Sequence, residues 1–121
     1  MPEYLITPIP KPRMSNRDKW LDPSRPAVQR YWDFCLQCSL EKVVLPCYGA
    51  HVTFVLPMPK TYSKKRKKEW IGKPHMNRPD LSNLFKALED AVYTEDSIIY
   101  DIRITKIWGE KGKIRIEEVR V

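Results

Sequence analysis

The sequence lacks any run of about 18 or more apolar residues, so no segment is expected to span a membrane. The proline-punctuated start, Met1 to Pro12, has no apolar signal-peptide core, which points to a cytoplasmic location. Cysteine is scarce. Three residues, an odd number, argue against a disulfide framework and agree with a reducing compartment. Acid is nearly missing from one stretch: between Lys60 and Arg78, eight basic residues face a single carboxylate, Glu69.

What is present fits one domain over residues 1–121, with 42% hydrophobic residues, enough for one modest core. The net charge is +7, and the basic stretch accounts for all of it, because the remaining residues carry 14 basic and 14 acidic side chains. A solvated face normally mixes both signs, so the segregation favours a polyanion-binding role. The candidate phosphate contacts are Lys64, Lys65, Arg66, Lys67, Lys68, Lys73 and Arg78.

Periodicity supplies the elements. Tyr4-Leu5-Ile6 reads as a first strand, and Lys11 to Pro23 as a polar loop carrying Lys11, Arg13, Arg17 and Lys19. Ser24 and Pro26 suit a helix start, and Val28, Tyr31, Trp32 and Cys35 recur at helical spacing up to the region of Lys42 to Pro46. Ala50, Val52, Phe54 and Leu56 alternate as in a strand that Pro57 and Pro59 end. Leu81, Leu84, Phe85, Leu88, Ala91 and Val92 form a second helical stripe. Ile98, Tyr100, Ile102 and Ile104 alternate again, and Gly109 to Gly112 resembles a hairpin turn leading to Ile114 and Ile116. The expected fold is α+β, of β-α-β-α-β-β order, with one mixed sheet, two helices packed on it, and a terminal antiparallel hairpin.

Directly after the basic stretch the sign reverses. From Asp80 to Asp101 there are six acids (Asp80, Glu89, Asp90, Glu95, Asp96 and Asp101) and one base, Lys86. Carboxylates beside a phosphate-binding segment are awkward for a protein that only binds. They suit one that cleaves phosphodiesters, because Mg²⁺ is held by one or two carboxylates plus substrate phosphate and keeps several waters. A nearby lysine can stabilise charge that develops on the phosphoryl group. Each residue also has a plain structural role open to it. Asp80 can be a helix N-cap, Asp96 a turn residue, and Lys86 a solvated lysine.

The run Arg78-Pro79-Asp80-Leu81-Ser82-Asn83-Leu84-Phe85-Lys86, followed by Asp90-Ala91, Glu95-Asp96-Ser97 and Ile99, resembles the RusA family of Holliday junction resolvases of bacteria, prophages and phages. The opening Ile6-Thr7-Pro8-Ile9-Pro10-Lys11-Pro12-Arg13 is similar to that family's first strand and basic loop. The resemblance implies that Asp80 and Asp96 are metal-binding carboxylates, that Lys86 is the catalytic lysine, and that the protein is a homodimer acting on branched DNA with Mg²⁺, Mn²⁺ being possible. In one place the sequence departs from the pattern: Ser82 stands where a second aspartate is usual. Its hydroxyl can ligate the ion or one of its waters without adding charge, with Glu95 or Asp90 as further donors.

Cys35, Cys38, Cys47 and His51 have the spacing of a Cys₃His zinc site, but two of them fall within a helix, and core packing is the preferred reading. Tyr62 and Trp70 suit either base stacking or cover for a charged loop. His75, expected to be exposed, is a weak candidate for a phosphate contact. The reading that joins these signals is a Mg²⁺-dependent endodeoxyribonuclease that resolves four-way junctions. The alternatives are a junction-binding protein whose catalysis is impaired at Ser82, and a basic nucleic-acid-binding accessory module.

Overall fold

Helix α1 (Pro26–Leu40) turns Val28, Tyr31, Phe34 and Cys38 inward in a computed structural model that describes residues 3–12, 26–93 and 98–119. These positions lie three or four residues apart and form one apolar stripe. Trp32, which the periodicity places on that stripe, is instead 44% exposed, and Cys35 is partly buried beside the core. The helix ends in a Schellman motif: the Val43 amide donates to Cys38 O and the Lys42 amide to Ser39 O. Lys42 adopts the left-handed backbone usual for glycine here, at φ 53°, and the next residue, Val43, is buried. The proposed cap Ser24 lies outside the described residues.

Among the described residues, four strands form one mixed sheet: β1 (Glu3–Tyr4), β2 (Ala50–Pro57), β3 (Arg103–Gly109) and β4 (Lys113–Glu118), in the spatial order β1-β4-β2-β3. Strand β2 is central, parallel to β3 and antiparallel to β4. Ala50, Val52, Phe54 and Leu56 face the helices with Ile114 and Ile116, as the alternation requires. Strand β3 begins later than the alternation of Ile98 and Tyr100 suggests; both of those residues are exposed.

The expected hairpin does not form. Strands β3 and β4 flank β2 instead of pairing, so the chain from Gly109 to Lys113 crosses the end of β2. Two inter-strand spacings are about 10 Å, within the reach of four residue steps at about 3.3–3.6 Å each. The glycines allow the crossing. A Cβ on Gly109 would lie 2.2 Å from Val55 Cγ1, and one on Gly112 would lie 2.4 Å from Thr7 Oγ1.

The basic stretch, expected as a loop, contains a further helix, α2 (Lys64–Trp70). Ser63 caps it by accepting from the Arg66 amide at 3.2 Å. Its residues are good helix formers, a signal that the concentration of charge obscured. Helix α3 (Leu81–Val92) buries Leu84, Ala87 and Leu88 and packs on α1.

Candidate functional site

Two of the candidate residues are positioned by the start of α3. Asp80 occupies its N-cap, and its backbone carbonyl accepts from the Asn83 and Leu84 amides at 3.1 Å. Its carboxylate makes no capping hydrogen bond. The bland role therefore uses the backbone of Asp80 and leaves its charge uncommitted. That carboxylate is exposed in a hollow lined by Pro10, Arg78, Pro79 and Asn83. Ser82 is also exposed, in the first turn.

Ser82, Lys86 and Asp90 succeed one another at four-residue intervals and share a face of α3. Lys86 is half-exposed, with its ammonium 3.4 Å from Asp90 Oδ1 and 3.8 Å from Glu89 Oε1. Asp90 also forms a tight ion pair with Lys11, which brings the N-terminal loop onto this face. The Lys11 ammonium lies 5.4 Å from the Tyr31 ring centre, a cation–π contact that ties the loop to α1. Asp90 sits about 15 Å along the helix from Asp80, at about 1.5 Å rise per residue. Ligands of a single Mg²⁺ lie within about 2.1 Å of the ion. Asp90 thus serves the two lysines and does not share an ion with Asp80.

The segment between α2 and Asp80 runs antiparallel along the outer edge of β3. The Gly72 amide donates to Trp108 O, the Trp108 amide to Lys73 O, and the His75 amide to Lys106 O, at 2.9–3.1 Å. Lys106 Nζ then donates to Asn77 O at 2.6 Å and to Pro79 O at 2.7 Å. This strap covers an edge that would otherwise offer unpaired backbone groups. It also indexes the basic helix and Asp80 to the same strand. The sequence reading missed Lys106. The available signal was a lysine at a position of the alternating strand where its neighbours Ile104 and Trp108 are apolar.

The candidate phosphate contacts Lys64, Lys65, Arg66 and Lys68 are exposed on α2, Lys67 is partly covered, and Lys73 and Arg78 are exposed on the strap. Tyr62 and Trp70 both meet cations through their ring faces: Arg66 lies 3.8 Å from the Tyr62 ring centre, and Lys73 Nζ lies 5.7 Å from that of Trp70. Tyr62 also packs on Trp108. These contacts favour the covering role over base stacking. His75 is not exposed as expected. It is 6% accessible, stacks on Trp108 at 4.1 Å between ring centres, and leaves Nδ1 without a hydrogen bond. Burial, and after it the charge of Lys106, holds its pKa below the ordinary histidine value, so it is a poor partner for a phosphate.

Cys38 lies in the core and Cys35 packs against it. Burial pushes the Cys38 thiol up to about 12 and raises Cys35, disfavouring the thiolate that zinc requires. His51 Nε2 is hydrogen-bonded to Thr105 Oγ1 at 2.8 Å. Among the described residues no three His, Cys, Asp or Glu side chains gather as a metal site. Glu95 and Asp96, the distal candidates, lie outside the described residues, as do Arg13, Arg17 and Lys19.

The sequence from residue 5 to 118 matches the family model described as Endodeoxyribonuclease RusA. The chain belongs to that family. Two relatives are similar to it. The Crossover junction endodeoxyribonuclease rusA of Lactococcus phage r1t is 35% identical over 80 residues, covering 62% of this chain and 60% of the phage protein. The Uncharacterized protein YqaN of Bacillus subtilis (strain 168) is 25% identical over 119 residues, covering 88% of this chain and 84% of its own length. The RusA match begins directly after β1 and takes in β2, β3, β4 and helices α1 to α3.

Proposed function

We propose that this RusA-family chain is a Mg²⁺-dependent, structure-selective endodeoxyribonuclease that resolves four-way DNA junctions by paired nicks in recombination and repair. The observation that carries this reading is Asp80, which caps α3 through its backbone alone and whose carboxylate faces a hollow shared with Arg78. Asp80 and Ser82 offer hard oxygen donors open to water, the chemistry that Mg²⁺, or Mn²⁺ in its place, prefers. Asp80 and Asp96 would hold the ion, with Ser82 as a neutral donor. A bound Mg²⁺ would supply Lewis-acid polarisation of the phosphoryl oxygen and lower the pKa of a ligated water.

The remaining work falls to the chain's own side chains. Cations on α2 and the strap align the sugar-phosphate backbone beside Asp80 without reading bases. The Lys86 ammonium, steadied by Asp90 and Glu89, stabilises charge that builds on the phosphoryl group. A four-way junction has two-fold symmetry, so two copies of the chain acting as a homodimer account for paired nicks.

The test is incubation of the protein with labelled four-way junction and with linear duplex, each with and without Mg²⁺. Symmetric nicks in the junction alone, and only with metal, are expected. Junction binding without cleavage under all metal conditions would leave a binding protein impaired at Ser82.

A further inference from the structure

The strap's backbone ladder along β3 ends at His75, whose amide is its last donor to the strand. Four more residues, Met76 to Pro79, separate that bond from Asp80. Pro79 has no N–H to donate, and Met76 is 83% exposed. Asp80 is held from its C-terminal side by α3, but without another fastening the stretch that enters it from the strap would be untethered.

Lys106 provides that fastening. Its register opposite Phe54 puts it on the helix side of β3, in line with Ile104 and Trp108. Its ammonium reaches past the core to the strap and bonds the carbonyls of Asn77 and Pro79, one on each side of Arg78. Both bonds are charge-assisted and short, the stronger class of hydrogen bond. The Pro79 carbonyl belongs to the peptide unit that leads directly into Asp80. Among the described residues, Lys106 pairs with no carboxylate, so its charge is spent on this backbone.

We propose that Lys106 is a positioning residue for the Asp80 carboxylate, locking the strap so that Asp80 is presented to the metal in a fixed place. The inference rests on the proposed metal-binding role of Asp80. Groups that orient a ligand without touching the ion typically alter metal affinity or activity by about 10–100-fold, and small misplacements are costly in a preorganised site.

The experiment is a pair of titrations on Lys106→Met and Lys106→Arg. One is Mn²⁺ binding to the DNA-free protein by calorimetry, and the other is Mg²⁺-dependent cleavage at saturating junction. Lys106→Met keeps the stem and removes the donors. It is expected to weaken Mn²⁺ binding and raise the Mg²⁺ needed for half-maximal cleavage by about tenfold or more. Junction binding without metal should stay within about twofold of wild type, and Lys106→Arg, which keeps charge and donors, should recover most of the loss. Wild-type metal titrations for Lys106→Met overturn the proposal. So does a fall in metal-free junction binding that matches the fall in cleavage, which would make Lys106 a phosphate contact. If Lys106→Met does not fold, Lys106→Gln takes its place. It is too short to span both carbonyls, so it should shift both titrations in the same direction, and its failure to do so overturns the inference. Cleavage surviving in Asp80→Asn sinks the underlying reading. A dead Asp80→Asn beside a Lys106→Met with wild-type metal demand sinks only the role of Lys106.

Discussion

Helix α2 carries five of the candidate phosphate contacts and buries none of its residues, whereas α3 begins at Asp80, carries Lys86 and buries Leu84, Ala87 and Leu88. The first is held by its cap and by the Tyr62, Trp70 and Trp108 rings at its margins. The second is built into the core that it shares with the sheet and α1. Under the proposed function, the contrast follows from what each charge would have to do. A cation facing a phosphate backbone acts through a field that falls off over about 10 Å at moderate salt, so it tolerates displacement. A carboxylate holding Mg²⁺ must satisfy a near-octahedral shell of short bonds, so it needs a rigid mount.

The sharpest way to break this comparison is to remove charge at the rigid mount. Asp80→Asn is expected to lower the cleavage rate by at least about 100-fold. Junction binding should survive or tighten, because one source of phosphate repulsion is gone. Cleavage at near wild-type rate would reduce Asp80 to a cap.

Neutralising Lys64 to Lys68 together tests the lightly held element. Binding to every DNA shape should weaken, and the slope of log K against log salt should fall by roughly 4 to 5, at about 0.9 per phosphate contact. The thermal midpoint should hardly move, since α2 buries no residue. An unchanged slope would show that the run makes no phosphate contacts.

A packing change sharpens the contrast from the other side. Leu88 is fully buried, so Leu88→Ala should cost about 2–5 kcal/mol of stability in denaturant unfolding. Below the unfolding transition, its salt-dependent DNA binding should resemble that of the wild type. A loss under about 1 kcal/mol would mean that α3 is not anchored as described.

The smallest effect is expected at Ser82. Ser82→Asp adds a carboxylate to the first turn of α3 and should modestly lower the Mg²⁺ needed for half-maximal cleavage at saturating junction. If neither Ser82→Asp nor Ser82→Ala changes that requirement, position 82 lies outside the metal's coordination shell. Glu95 would then be the better third ligand, since Asp90 is committed to Lys11 and Lys86.

Much of this architecture was legible in the residues because burial imposes periodicity. Val28, Tyr31 and Cys35 marked α1, Ala50 to Leu56 marked β2, and Leu84 and Leu88 marked α3, each at the spacing its element demands. The segregation of charge was equally plain, as was the place of Asp80 directly before a helical stripe. Helix α2 was missed because a helix that buries nothing has no apolar period to read.

The sequence by itself determined which face each element turns to the core, where the basic and acidic stretches lie, and the motif that joins Asp80 to Lys86. Only the tertiary structure decided who neighbours whom. Strand β4 has the same alternation whether it pairs with β3 or lies across β2 from it, because alternation records the buried face and not the adjacent strand. The ion pair of Lys11 with Asp90, 79 residues apart, and the reach of Lys106 to the carbonyls before Asp80 depend in the same way on neighbours that only folding brings together.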